Sequence, residues 1–100
     1  MESRMSYIDF RATLSHAAPP QELSALLRAL WLDQRGDFAG AHGIAQDIKT
    51  ADAARVHAYL HRKEGDLPNA RYWYARAGCE AASGELEKEW EALVRQLLVT

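Results

Sequence analysis

Gly36-Asp37-Phe38-Ala39-Gly40-Ala41 recurs 29 residues later as Gly65-Asp66-Leu67-Pro68-Asn69-Ala70. Glycine ends a helix readily because it accepts a left-handed backbone. An aspartate beside it offers a carboxylate to the free N–H groups of a following helix. Each copy therefore reads as a helix stop joined to a helix start. Self-similarity at one period marks a unit of supersecondary structure used twice, and that decides the fold before local detail does.

The flanking residues follow helical spacing. Ser6 with Asp9 makes a capping-box-like start, and Tyr7, Phe10, Arg11 and Leu14 predict a short helix near 7–15. Ala17-Ala18-Pro19-Pro20 stops it. Proline lacks a donor yet fits a first turn, so the second helix is predicted to open at Pro20 and span about 20–35. Leu23, Leu26, Leu27, Leu30 and Trp31 form its apolar stripe. The third helix, about 38–48, holds Gly40 and Gly43, each costing roughly 1 kcal/mol against alanine. Close approach of the preceding helix is the expected reason for them.

Thr50 or Asp52 caps a fourth helix over about 52–64, with Ala53, Val56, Tyr59 and Leu60 inward. Asp66 caps a fifth, which carries Pro68 in its first turn and then Trp73, Tyr74 and Ala77 before Gly78. Ser83 is predicted to open the last helix, whose stripe is Leu86, Trp90, Leu93, Val94, Leu97 and Leu98. No segment alternates with period two for long. The chain is predicted all-α, a single domain over residues 1–100 with about six helices. The final helix is expected to cover the exposed end of the second pair.

Composition narrows the function classes. No run of about 18 apolar residues occurs, so no membrane span is expected. The charged start MESRMSYIDF lacks the apolar segment of an export signal. Cys79 is the single cysteine, so neither an internal disulfide nor a paired-cysteine zinc site can form. A cytoplasmic location is the expectation, with Cys79 as a small packing residue. A net charge of −2 argues against a simple electrostatic nucleic-acid binder. Residues 51–76 carry five bases against three acids, and residues 77–100 carry five acids against two bases. The second copy of the repeated phrase is thus the basic part of the chain.

The phrases Gly-Asp-Phe-x-x-Ala and Gly-Asp-Leu-x-x-Ala resemble the turn and second-helix start of tetratricopeptide repeats. Ala58, Gly65, Ala70, Trp73, Tyr74 and Ala77 match that pattern in the second copy, and Ala29, Gly36, Ala41 and Ala45 in the first. The resemblance spans about residues 23–77. Its period is shorter than the roughly 34 residues usual for such repeats. The proline between repeats is missing, and His57 and His61 stand where apolar residues are usual. The string AYLHRKEGDLPNARYWYARAG also resembles a group of short, uncharacterised bacterial proteins. The repeat resemblance implies two helical hairpins with flanking N- and C-terminal helices, acting as a protein–protein interaction module of adaptor or accessory type.

Two clusters carry chemistry. Arg62, Lys63, Arg71, Tyr72 and Arg76 combine bases and aromatic rings around the second turn, a composition suited to gripping an acidic or extended protein or peptide segment. His57 and His61 stand four apart on one helix with Glu64 three further on, and His42 from the neighbouring pair is placed to complete a transition-metal set. A homodimer formed through the apolar stripes is a third expectation. No nucleophile elbow or glycine-rich phosphate loop occurs, so neither enzymatic activity nor a cofactor is expected.

Overall fold

The computed structural model describes residues 5–99. Residues 1–4, within the charged stretch MESRMSYIDF, and Thr100 lie outside the described residues. The described residues form an all-α fold: α1 (Tyr7–Ala12) continued by a 3-10 turn (Thr13–Ser15), α2 (Ala25–Gln34), α3 (Phe38–Gln46), α4 (Ala51–Lys63), α5 (Leu67–Ala77) and α6 (Leu86–Leu98). Consecutive helices from α2 to α5 pack side by side, and α6 folds back over α1, α2 and α4.

The repeated phrase builds the same turn twice. Gly36 and Gly65 both adopt φ +89, a conformation without steric cost only for glycine. Asp37 then accepts the Gly40 N–H at 2.9 Å, as Asp66 accepts the Asn69 N–H at 3.3 Å. The backbone closes equally in the two copies, Asp37 N–H donating to the Leu32 carbonyl at 2.8 Å and Asp66 N–H to that of His61 at 2.9 Å. Thr50, not Asp52, caps α4, its hydroxyl accepting the Ala53 N–H at 3.1 Å.

Two helix starts differ from expectation. α2 begins at Ala25, not Pro20, because Ser24 is extended (ψ 164) and its hydroxyl accepts the Leu27 N–H. The Pro20 carbonyl instead closes a turn with the Leu23 N–H. α6 begins at Leu86, not Ser83, because Gly84 at φ +86 lies outside the right-handed helical region. Close helix approach is not the reason for the glycines of α3. A Cβ on Gly43 would meet nothing within 4 Å, and the atoms nearest one on Gly40 belong to the capping carboxylate of Asp37. Cys79 is exposed and not a packing residue.

Phe10, Leu30, Val56, Leu60, Trp90 and Val94 are fully buried together, and a completely buried side chain of this kind contributes about 1.5–3 kcal/mol. The Trp90 indole packs against Phe10 and donates to the Leu30 carbonyl at 3.0 Å. This places α6 across α2 and α4, whose inner stripes share one core with it, and not over the expected end of the α4–α5 region. Two carboxylates lie inside. Asp33 receives the Tyr59 hydroxyl at 2.9 Å and Lys63 Nζ at 3.0 Å. Glu89 receives Arg62 Nη1 at 2.8 Å and the Tyr74 hydroxyl. A buried charge is tolerated only with such partners, and no buried side-chain polar atom among the described residues lacks one. No described helix is long and apolar enough to cross a membrane.

Candidate functional site

On α4, Ala54, His57 and His61 stand at i, i+3 and i+7, a spacing that stacks them along one face. Val56, Tyr59 and Leu60 occupy the core face, which leaves the histidine face for α3 and α5. His42 approaches from α3 and Trp73 from α5. The rings of His57 and His61 stack 4.8 Å apart, and His42 meets them edge-on at 4.6 and 5.3 Å. Trp73 closes one side by stacking on His57 at 4.0 Å, and Phe38 the other by stacking on His42 at 5.6 Å.

The nitrogens converge as well as the rings. One ligand-capable nitrogen from each of His42, His57 and His61 lies within 4.8 Å of the other two. His57 Nε2 and His42 Nε2 stand 2.9 Å apart, so in the metal-free chain one donates and the other accepts. Glu64 Oε1 lies 2.8 Å from His61 Nδ1. That contact places a ring proton on Nδ1, the usual way a carboxylate orients a histidine that binds a metal through its other nitrogen. Asp66 stands further off, 3.9 Å from the same nitrogen. Its carboxyl is held below its ordinary pKa chiefly by hydrogen bonds from Asn69. Burial, and then the neighbouring His42 and His61, push the His57 pKa down to about 4. At neutral pH His57 therefore offers a lone pair and carries no charge.

The basic-aromatic cluster does not assemble as one surface. Arg62 is committed to Glu89 and the Gly84 carbonyl, and Lys63 to Asp33. Both cations are therefore engaged by carboxylates of the fold. Arg71 is exposed and, five positions from Arg76 on α5, points roughly 140° away from it. Only Tyr72 and Arg76 stay together. The Arg76 guanidinium lies over the Tyr72 and Trp73 rings at 5.8 and 5.5 Å.

The chain matches no protein-family model, no curated protein and no solved structure. Its chemistry must therefore be read from the side chains. The imidazole trio was legible in part, since the i, i+4 pair and Glu64 stand on one helix. Glu64, read from the sequence as a member of the metal set, lies against the His61 ring. Trp73 and Phe38 as walls went unread, because nothing local distinguishes them from core aromatics. Asp33 and Glu89 carried a signal: each is a carboxylate inside an apolar helical stripe, a position that demands a buried cationic partner.

Three imidazole ligands suit zinc, copper or nickel and not calcium or magnesium, which prefer oxygen. A tetrahedral ion with bonds of about 2.0–2.1 Å holds its nitrogens roughly 3.3 Å apart. The His42–His57 separation needs to widen only slightly to meet that. A cavity of ≈ 240 Å³ lined by Asp33, Gly36, Phe38, Lys63 and Glu64 adjoins the residues that contact His42 and His61.

Proposed function

We propose that this protein binds one transition-metal ion of the zinc or copper class between α3 and α4. The ligands are His42, His57 and His61, with Glu64 orienting His61. The observation that carries this reading is the convergence of three ring nitrogens, one of them backed by a carboxylate. A hydrogen-bonded histidine pair accounts for His42 and His57, but it gives His61 and Glu64 no part. Three protein ligands leave a fourth position for water or a small donor, the arrangement of an open metal site. The interaction-module reading has less support, because two of its five residues are taken up in internal ion pairs.

Cobalt(II) titration of the metal-free chain tests the proposal. One equivalent should bring visible absorption of tetrahedral intensity, and zinc should displace it and raise the melting temperature. His57 is buried, so His42→Ala and His61→Ala are the primary variants, with far-UV circular dichroism as the check on folding. Each should abolish the spectrum, and Glu64→Gln should weaken affinity about 10–100-fold. Absence of a cobalt spectrum from the intact chain, with no change in melting on adding zinc, would sink the reading.

A further inference from the structure

The face of α4 that carries the histidines continues one turn toward its N-terminus into a second cavity. Its volume is ≈ 250 Å³, and it lies where the end of α3, the start of α4 and the outer half of α5 meet. Ala45, Ile48, Ala51, Ala54 and Trp73 give it an apolar part, Gln46 and Thr50 add polar groups, and its two charged lining residues, Lys49 and Arg76, are both cations. Arg62 and Lys63 are neutralised by buried carboxylates, whereas among the described residues neither Lys49 nor Arg76 forms an ion pair. Asp47, two residues before Lys49, forms no ion pair with it, and Asp52 at the start of α4 accepts from Gln96 of α6. Two cations without an ion-pair partner thus line a hollow of mixed polar and apolar character.

We infer that this cavity binds a small organic carboxylate with an apolar or aromatic body. The carboxylate sits between Lys49 and Arg76, where charge-assisted hydrogen bonds are strongest. The body lies on Ile48, Ala54 and the Trp73 ring. The apolar part favours such a ligand over a bare inorganic anion, which would gain nothing from apolar contact while losing its hydration. Arg76 is held over the Tyr72 and Trp73 rings, so its guanidinium is positioned before a ligand arrives, which lowers the ordering cost of binding. The site uses none of the three imidazoles and shares only the Trp73 wall with the metal reading.

Calorimetry on the full chain in the presence of a chelator tests this, with phenylacetate as probe, phenylacetamide as its uncharged counterpart and inorganic phosphate as the bare anion. Phenylacetate should give saturable one-to-one binding and change tryptophan fluorescence. Phenylacetamide should bind roughly tenfold more weakly or worse, a difference of about 1.4 kcal/mol or more. Arg76→Gln and Lys49→Gln, both at exposed positions, should each weaken phenylacetate about tenfold with the melting temperature unchanged. Three results would overturn the assignment: equal binding of phenylacetamide, phosphate binding as tight as phenylacetate, or no saturable heat with phenylacetate.

Discussion

The imidazole of His57 lies nearly flat on the indole of Trp73, with ring centroids 4.0 Å apart and planes 21° from parallel. This contact ties α4 to α5 at the point where the histidine cluster meets the Lys49–Arg76 cavity. One face of the indole shields the imidazole from water, and another part of the ring lines the cavity. Trp73 is therefore common to both proposed sites.

Trp73→Ala should raise the His57 pKa from about 4 toward its ordinary value, because the wall that disfavours the charged ring is gone. Trp73→Phe, which keeps a ring over His57, should hold most of the shift. Nitrogen-detected NMR titration of the metal-free chain reads this directly. An unchanged His57 titration in the alanine variant would show that the indole does not control the site.

Arg62→Ala should destabilise the fold by about 3 kcal/mol, since it strands the Glu89 carboxylate in the core. Replacing the whole set with apolar groups, Arg62→Met with Tyr74→Phe and Glu89→Leu, should recover most of that loss. Urea unfolding measures both. If Arg62→Ala unfolds at the wild-type midpoint, Arg62 is a solvated surface cation after all.

The glycines separate by backbone conformation. Gly43 is helical with open space where a Cβ would sit, so Gly43→Ala should stabilise by about 1 kcal/mol. Gly65 has φ +89, so Gly65→Ala should cost about 1–2 kcal/mol. Thermal melts of the two variants should move in opposite directions.

Tyr59 and Tyr74 have pKa values raised above the ordinary tyrosine range, in both cases mainly by burial and then by the adjacent Asp33 or Glu89 carboxylate. The unfolded chain ionises them near pH 10 while the folded chain holds them neutral. Their contribution to stability is therefore complete below about pH 10 and falls as pH rises beyond it. Absorbance at 295 nm during alkaline titration checks this: Tyr59→Phe should leave the folded-state step unaltered and reduce the step seen in urea. A smaller folded-state step in that variant would contradict the burial argument.

Local chemistry made the helical punctuation readable. Ser6, Thr50, Asp37 and Asp66 cap where their side chains predict, because a cap needs only a hydroxyl or carboxylate within reach of the next turn. The start of α2 was misplaced at Pro20, since proline tolerates a first turn without requiring one and Ser24 offered a better cap. The start of α6 was misplaced at Ser83 because Gly84 adopts positive φ, which the string of letters leaves open. The path of α6 depended on packing as well, as its stripe suited either end of the molecule.

The repeated Gly-Asp phrase and the spacing of apolar residues determined, unaided, that this protein is a set of helices joined by two identical turns. Those rules act over three or four neighbouring residues and need no tertiary context. The same letters place His57, His61 and Glu64 on one helical face. Only the tertiary structure decided that His42 meets them, that Trp73 stacks on His57, and that Arg62 and Lys63 pair with buried carboxylates while Lys49 and Arg76 form no ion pair. Which partner a charged side chain finds depends on how helices far apart in sequence are packed, and burial then sets whether that charge serves the fold or remains available to a ligand.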